Sequence, residues 1–71
     1  MKTDILKSFG QRVKKIRLDK GLSQEEFADL SGFHRTYIGM IERGERNPSL
    51  KNIQKLAKTF QISLSELFKS L

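Results

Sequence analysis

A chain of 71 residues, 37% hydrophobic and without cysteine, has room for one small domain, unstapled, whose stability must come from packing and association. Fourteen Lys and Arg against eight Asp and Glu give a net charge of +6, so a polyanionic partner is expected, nucleic acid or an anionic membrane surface. With a single His, His34, no glycine-rich phosphate loop and no close pair of carboxylates that looks buried, no catalytic set can be assembled; neither an enzyme, a metal site nor a cofactor is expected.

In chain order, apolar residues at Ile5, Phe9, Val13 and Ile16 recur at helical spacing and predict a first helix with one buried face, closed by Gly21. Ser23-Gln24-Glu25-Glu26 is a capping-box sequence that starts a second helix, a short one because Gly32 follows Leu30 and Ser31. A third helix fits His34 to Arg43, with Ile38 and Ile41 facing the core and Gly44 ending it. After Pro48 and Ser49, Leu50, Ile53, Ala57 and Phe60 mark a fourth. Ser63 and Glu66 form another capping box, opening a fifth helix over 63–71 with Leu64, Leu67, Phe68 and Leu71 on one stripe. No segment alternates with period two, so the expected fold is all-α, five helices in a single domain over 1–71. The first 20 residues hold no long apolar stretch, so neither a secretory signal nor a membrane span is expected, and the protein is placed in the cytoplasm.

Helices two and three are joined by a turn holding Gly32, with Ala28 small where the helices cross closely. The segment 23–43 therefore reads as a helix-turn-helix. At about 100° per residue, Thr36, Gly39, Met40 and Arg43 point away from Ile38 and Ile41, with Arg35 at the side of the helix N-terminus. These are the positions that would enter a major groove. The stretches KKIRLDKGLSQEEFADLSG, RTYIGMIERGERNPSL and LAKTFQISLSELF resemble the phage-repressor-like, or xenobiotic-response-element type, helix-turn-helix family over essentially the whole chain. Within it HRTYIGMIERGERN looks most like the small controller proteins of restriction-modification systems, which bind operators upstream of their own gene.

Arg35 is the first candidate base reader, because a guanidinium forks onto guanine O6 and N7. The resemblance implies that Thr36 lies at the groove. Met40 has two readings, contact with a thymine methyl or packing. Gly39 likewise has two, close approach to DNA or a neighbouring helix, or simple tolerance. Resemblance to controller proteins implies that Arg46 reaches a base and Asn47 the phosphate backbone. Ser23 and Gln24, at the start of the second helix, are placed to meet phosphate, though capping alone explains Ser23. Tyr37 is expected to pack its ring and offer its hydroxyl to a phosphate, and Arg43 to contact phosphate or the helix dipole. Lys51 stands nearest the loop among the lysines of the fourth helix. Arg17 and Glu42 fall at the margins of their helices' apolar faces, and the resemblance implies that they pair as a structural ion pair. His34 stands where many of the family carry Ser or Thr, which leaves its cap open.

One such domain reads only a few base pairs, so a homodimer is expected, on a pseudo-palindromic operator with half-sites roughly 34–36 Å apart. Its seam is expected on Leu64, Leu67, Phe68 and Leu71, some of which must close the monomer's own core. The expected function is a sequence-specific DNA-binding transcriptional regulator on double-stranded DNA, a restriction-modification controller autoregulating its operon. Glu25 and Glu42 are candidates for a contact with RNA polymerase. The rival readings are a stand-alone repressor, an antitoxin-type protein using the fold as scaffold for a protein partner, and membrane-surface binding, which the splitting of the basic stripes between helices disfavours.

Overall fold

A computed structural model describes residues 4–71, in which five helices and no strand are found. Helix α1, Ile5–Asp19, starts on Asp4, whose carboxylate accepts from the backbone N–H of Leu6 at 3.0 Å and of Lys7 at 3.3 Å. It ends as the Gly21 pattern predicts. Gly21, at φ +73°, donates to Leu18, and Leu22 donates back to Arg17, the paired bonds of a Schellman motif. Helix α2, Gln24–Ser31, opens with both halves of the Ser23–Glu26 capping box and closes on Gly32 in the left-handed region. Helix α3, Arg35–Glu42, is capped after all by His34, whose Nδ1 accepts from the Thr36 N–H at 3.1 Å. A second Schellman pair, Gly44 to Ile41 and Glu45 to Met40, stops it. Helix α4, Leu50–Phe60, begins on the Ser49 hydroxyl.

Helix α5 is shorter than expected. It covers Leu64–Leu67, not 63–71, and the chain then turns tightly, with Lys69 bonded to Glu66, Leu71 to Phe68, and Ser70 at φ +70°. Its capping box is also only half made. The Ser63 hydroxyl accepts from the Glu66 N–H, but the Glu66 carboxylate is drawn 3.0 Å from Arg12 Nη2, across the interface with α1. A full positive charge outcompetes a single backbone donor for that carboxylate.

The core joins Phe9, Val13 and Ile16 of α1 with Phe27 and Ala28 of α2, Ile38 and Ile41 of α3, Leu56, Ala57 and Phe60 of α4, and Leu67 of α5. At its centre the Phe27 and Phe60 rings stack with centres 4.3 Å apart. Two residues assigned to buried stripes are exposed, Ile5 and Leu50. Each is the first residue of its helix, where the stripe has run past the neighbouring elements. Leu56, which the spacing of the fourth helix did not single out, is fully buried.

Helix α1 crosses the C-terminal end of α3 almost backbone to backbone. A Cβ on Gly10 would fall on the Ile41 carbonyl oxygen and 2.6 Å from that of Glu42. This crossing fixes how α3 is presented, because its inward face is then held by α1 below and by α2 beside it.

Candidate nucleic-acid interface

The turn between α2 and α3 is tied by a buried serine. Ser31 donates its hydroxyl to the Ala28 carbonyl at 3.2 Å and accepts from the Phe33 N–H at 3.3 Å, while Gly32 supplies a φ of +80°. With Ile38 and Ile41 in the core, α3 turns Arg35, Thr36 and Arg43 outward. Gln24, Arg35, Thr36, Gly39 and Arg43 line one solvent-open hollow of about 200 Å³. Met40 is half-buried and does not line it.

Of the two readings of Gly39, the structure favours close approach by a neighbouring helix: it is buried, and a Cβ there would come within 3.1 Å of Arg43 Nη1 and 3.8 Å of Gln24 Oε1, at the start of α2. A methyl there would meet Gln24 at ordinary contact distance and require only a small shift of the Arg43 tip.

Beneath the hollow lies a buried ion pair. Arg17 Nε and Nη2 reach the two Glu42 oxygens at 2.6 and 3.1 Å, and Arg17 Nη1 donates to the Leu22 carbonyl at 2.7 Å. Glu42 Oε1 also accepts from Gln24 Nε2 at 3.0 Å. The side chains of Arg17 and Glu42 are only 7% and 3% exposed, so a partner outside the protein has no access to Glu42, which removes it as a polymerase contact. The same bond occupies one N–H of Gln24 and aims the rest of its amide at the hollow. Sequence reasoning missed this tie from α2 to α3, and a polar residue at the start of a capped helix gives no signal for it.

The remaining candidates surround the hollow. Ser23 spends its backbone N–H and its hydroxyl acceptor on the capping box. Arg43, the C-cap of α3, is exposed and paired with Glu45 at 3.1 Å. Arg46 and Asn47 are exposed on the loop, which buried Pro48 anchors, and Lys51 is exposed in the first turn of α4. Tyr37 is half-buried on the flank of α3, its hydroxyl accepting from Asn52 Nδ2 at 2.9 Å and its ring lying under the Arg46 guanidinium. Among the residues expected at a dimer seam, Leu67 is fully buried in the monomer, beside Leu56 and Phe60 in the core, and has no surface to offer a partner. Leu64 is half-buried, and Phe68 and Leu71 are exposed. No helix among the described residues is long and apolar enough to cross a membrane.

The family model described as helix-turn-helix matches residues 13–67. The control protein C.BamHI of Bacillus amyloliquefaciens is 47% identical over 68 residues, which span 94% of this chain and 84% of that protein. The control protein C.MunI of Mycoplasma sp is 46% identical over 69 residues, 96% of this chain and 93% of that protein. Among solved structures, the restriction-modification controller protein C.AhdI from Aeromonas hydrophila is similar with a TM-score of 0.88 at 53% identity, covering 93% of this chain and 100% of that one.

Proposed function

The chain belongs to the helix-turn-helix family, and on that premise we propose that it is a homodimeric, sequence-specific regulator of transcription, a restriction-modification controller acting on its own operon. The observation that carries this reading is the hollow in which α2 and α3 gather Gln24, Arg35, Thr36 and Arg43 on one open face. That face has the composition a major groove requires: a guanidinium and a hydroxyl for base edges, an amide and a second guanidinium for phosphates. In this assignment Arg35, Thr36, Met40 and Arg46 read bases. Ser23, Gln24, Tyr37, Arg43, Asn47 and Lys51 meet the phosphate backbone on either side. The Arg17–Glu42 pair holds α1 to α3, so that the reading helix is presented rigidly.

The chain acts as one domain, with the helix-turn-helix at 23–43, and Leu64, Phe68 and Leu71 form the seam between two copies. No ligand-binding domain is needed in such a scheme: occupancy follows protein concentration through dimerisation and operator binding. The setting is the cytoplasm, and Glu25, exposed on α2, is the side chain that remains for a contact with RNA polymerase.

A gel-shift titration at about 150 mM salt, comparing DNA from upstream of the protein's own gene with a scrambled duplex of equal length, tests this directly. Selective binding by about 10³-fold or more is expected. Equal, salt-fragile binding to both duplexes would refute autoregulation through that site.

A further inference from the structure

Beside the hollow, the flank of α3 carries a chain of contacts that links α4 to the loop. The Tyr37 ring packs against Phe33 with centres 5.0 Å apart, and the guanidinium carbon of Arg46 lies 5.0 Å from the Tyr37 ring centre. On the rim of that ring, the phenol oxygen accepts the 2.9 Å hydrogen bond from Asn52. We infer that Asn52 is a positioning residue for sequence recognition, which fixes the Tyr37 ring so that the ring holds the Arg46 guanidinium ready to read a base. This rests on the DNA-binding function proposed above.

An exposed arginine on a loop samples many rotamers, and each must be surrendered when it meets a base edge. An aromatic face that already carries the guanidinium lowers that loss, provided the ring itself is held. Phe33 limits the ring on one side and the Asn52 amide limits it at the hydroxyl.

Asn52 has little other reason to be what it is. It occupies the third position of α4, where Glu or Gln would complete a capping box with Ser49, and asparagine is a poor helix former too short to reach back. The sequence forgoes a local cap there in favour of a bond to another helix. The direction of the bond matters as well. With the amide donating, the phenol keeps its own O–H, which no acceptor takes among the described residues, and a phosphate oxygen is an acceptor of the right kind.

The test is a double-mutant cycle on binding to the upstream and scrambled duplexes. Asn52→Ala is expected to weaken binding to the upstream duplex by about 3–10-fold, the worth of one neutral hydrogen bond, and to leave the scrambled duplex unaffected. In an Arg46→Ala background the same substitution is expected to cost less than about twofold. Tyr37→Phe keeps the ring but removes both the acceptor for Asn52 and the O–H offered to phosphate, so it is expected to lose at least as much on the upstream duplex as Asn52→Ala and to weaken the scrambled duplex as well, and its upstream loss supplies the comparison if Asn52→Ala folds poorly. Tyr37 is the sole tyrosine and there is no tryptophan, so emission excited at wavelengths too long for the five phenylalanines reports on this ring alone in the free protein. Asn52→Ala and Arg46→Ala are each expected to change that emission.

Equal losses in both backgrounds, no loss at all, or an emission that Asn52→Ala leaves unchanged would overturn the inference. A wild type that fails to discriminate between the duplexes would refute recognition of that upstream site, the reading proposed above, and this inference with it. A discriminating wild type that Asn52→Ala leaves intact would overturn the inference alone.

Discussion

Arg35 and Arg17 carry the same group to opposite ends. Arg35 is exposed on the hollow and makes no hydrogen bond or ion pair within the described residues, whereas every nitrogen of Arg17 is engaged, two with Glu42 and one with the Leu22 carbonyl. Truncating the first should therefore cost recognition and truncating the partner of the second should cost the fold. Arg35→Ala is expected to leave the thermal midpoint within the range of an ordinary surface change, about 0.5 kcal/mol, while reducing discrimination between operator and scrambled duplex by about 1–3 kcal/mol per half-site. Unchanged discrimination in titrations of both duplexes would remove Arg35 from the reading surface. Glu42→Ala strands a buried guanidinium and frees the Gln24 amide. The expected loss is about 3–5 kcal/mol, comparable with the whole stability of so small a domain, so thermal denaturation followed by circular dichroism should find the variant largely unfolded. A wild-type midpoint would mean that Arg17 finds water instead.

At the scale of elements, what the sequence makes legible is whatever is settled within one turn. The Ser23–Glu26 box and the stops at Gly21, Gly32 and Gly44 depend on neighbours three to five residues away, and each forms as its local pattern requires. Features decided by distant residues are the ones misread. The second capping box loses Glu66 to Arg12, the stripe on α5 ends after one turn, and Ile5 and Leu50 project past the core. The same division runs through the candidate site. The outward placing of Arg35, Thr36 and Arg43 follows from the period of the helix, but that of Gly39 and Met40 does not, and the Gln24–Glu42 and Asn52–Tyr37 bonds join residues 18 and 15 apart, which no periodicity encodes. Gly10, inside α1, is decided in the same way, by the α3 backbone lying against it. Gly10→Ala would raise helix propensity by about 1 kcal/mol in isolation, yet its methyl must displace the Ile41 and Glu42 carbonyls. A net destabilisation of about 1–3 kcal/mol is expected from denaturant titration. A stabilised variant would show that α1 can shift away from α3 at little cost.

For the whole molecule, the limit is the length of α3. Eight residues at about 1.5 Å each span roughly 12 Å, less than half a turn of duplex, so one copy cannot specify an operator within a genome. Two copies can, and the seam proposed for them has apolar surface to offer, since Phe68 and Leu71 are 39% and 43% exposed and Leu64 is half-buried. The net charge of +6 adds attraction to any duplex, which steers association without choosing a sequence. The salt dependence of binding counts the charges that matter and, through them, the copies. Each phosphate neutralised contributes a slope of about 0.9 in log affinity against log salt. Lys51 is exposed at the loop end of α4 and is repeated in each protomer. If a dimer binds with Lys51 on phosphate at both half-sites, Lys51→Ala should flatten the slope by about 1.8 and weaken upstream and scrambled duplexes alike. A fall of about 0.9 would place a single protomer on the DNA, and an unchanged slope would return Lys51 to the solvated surface.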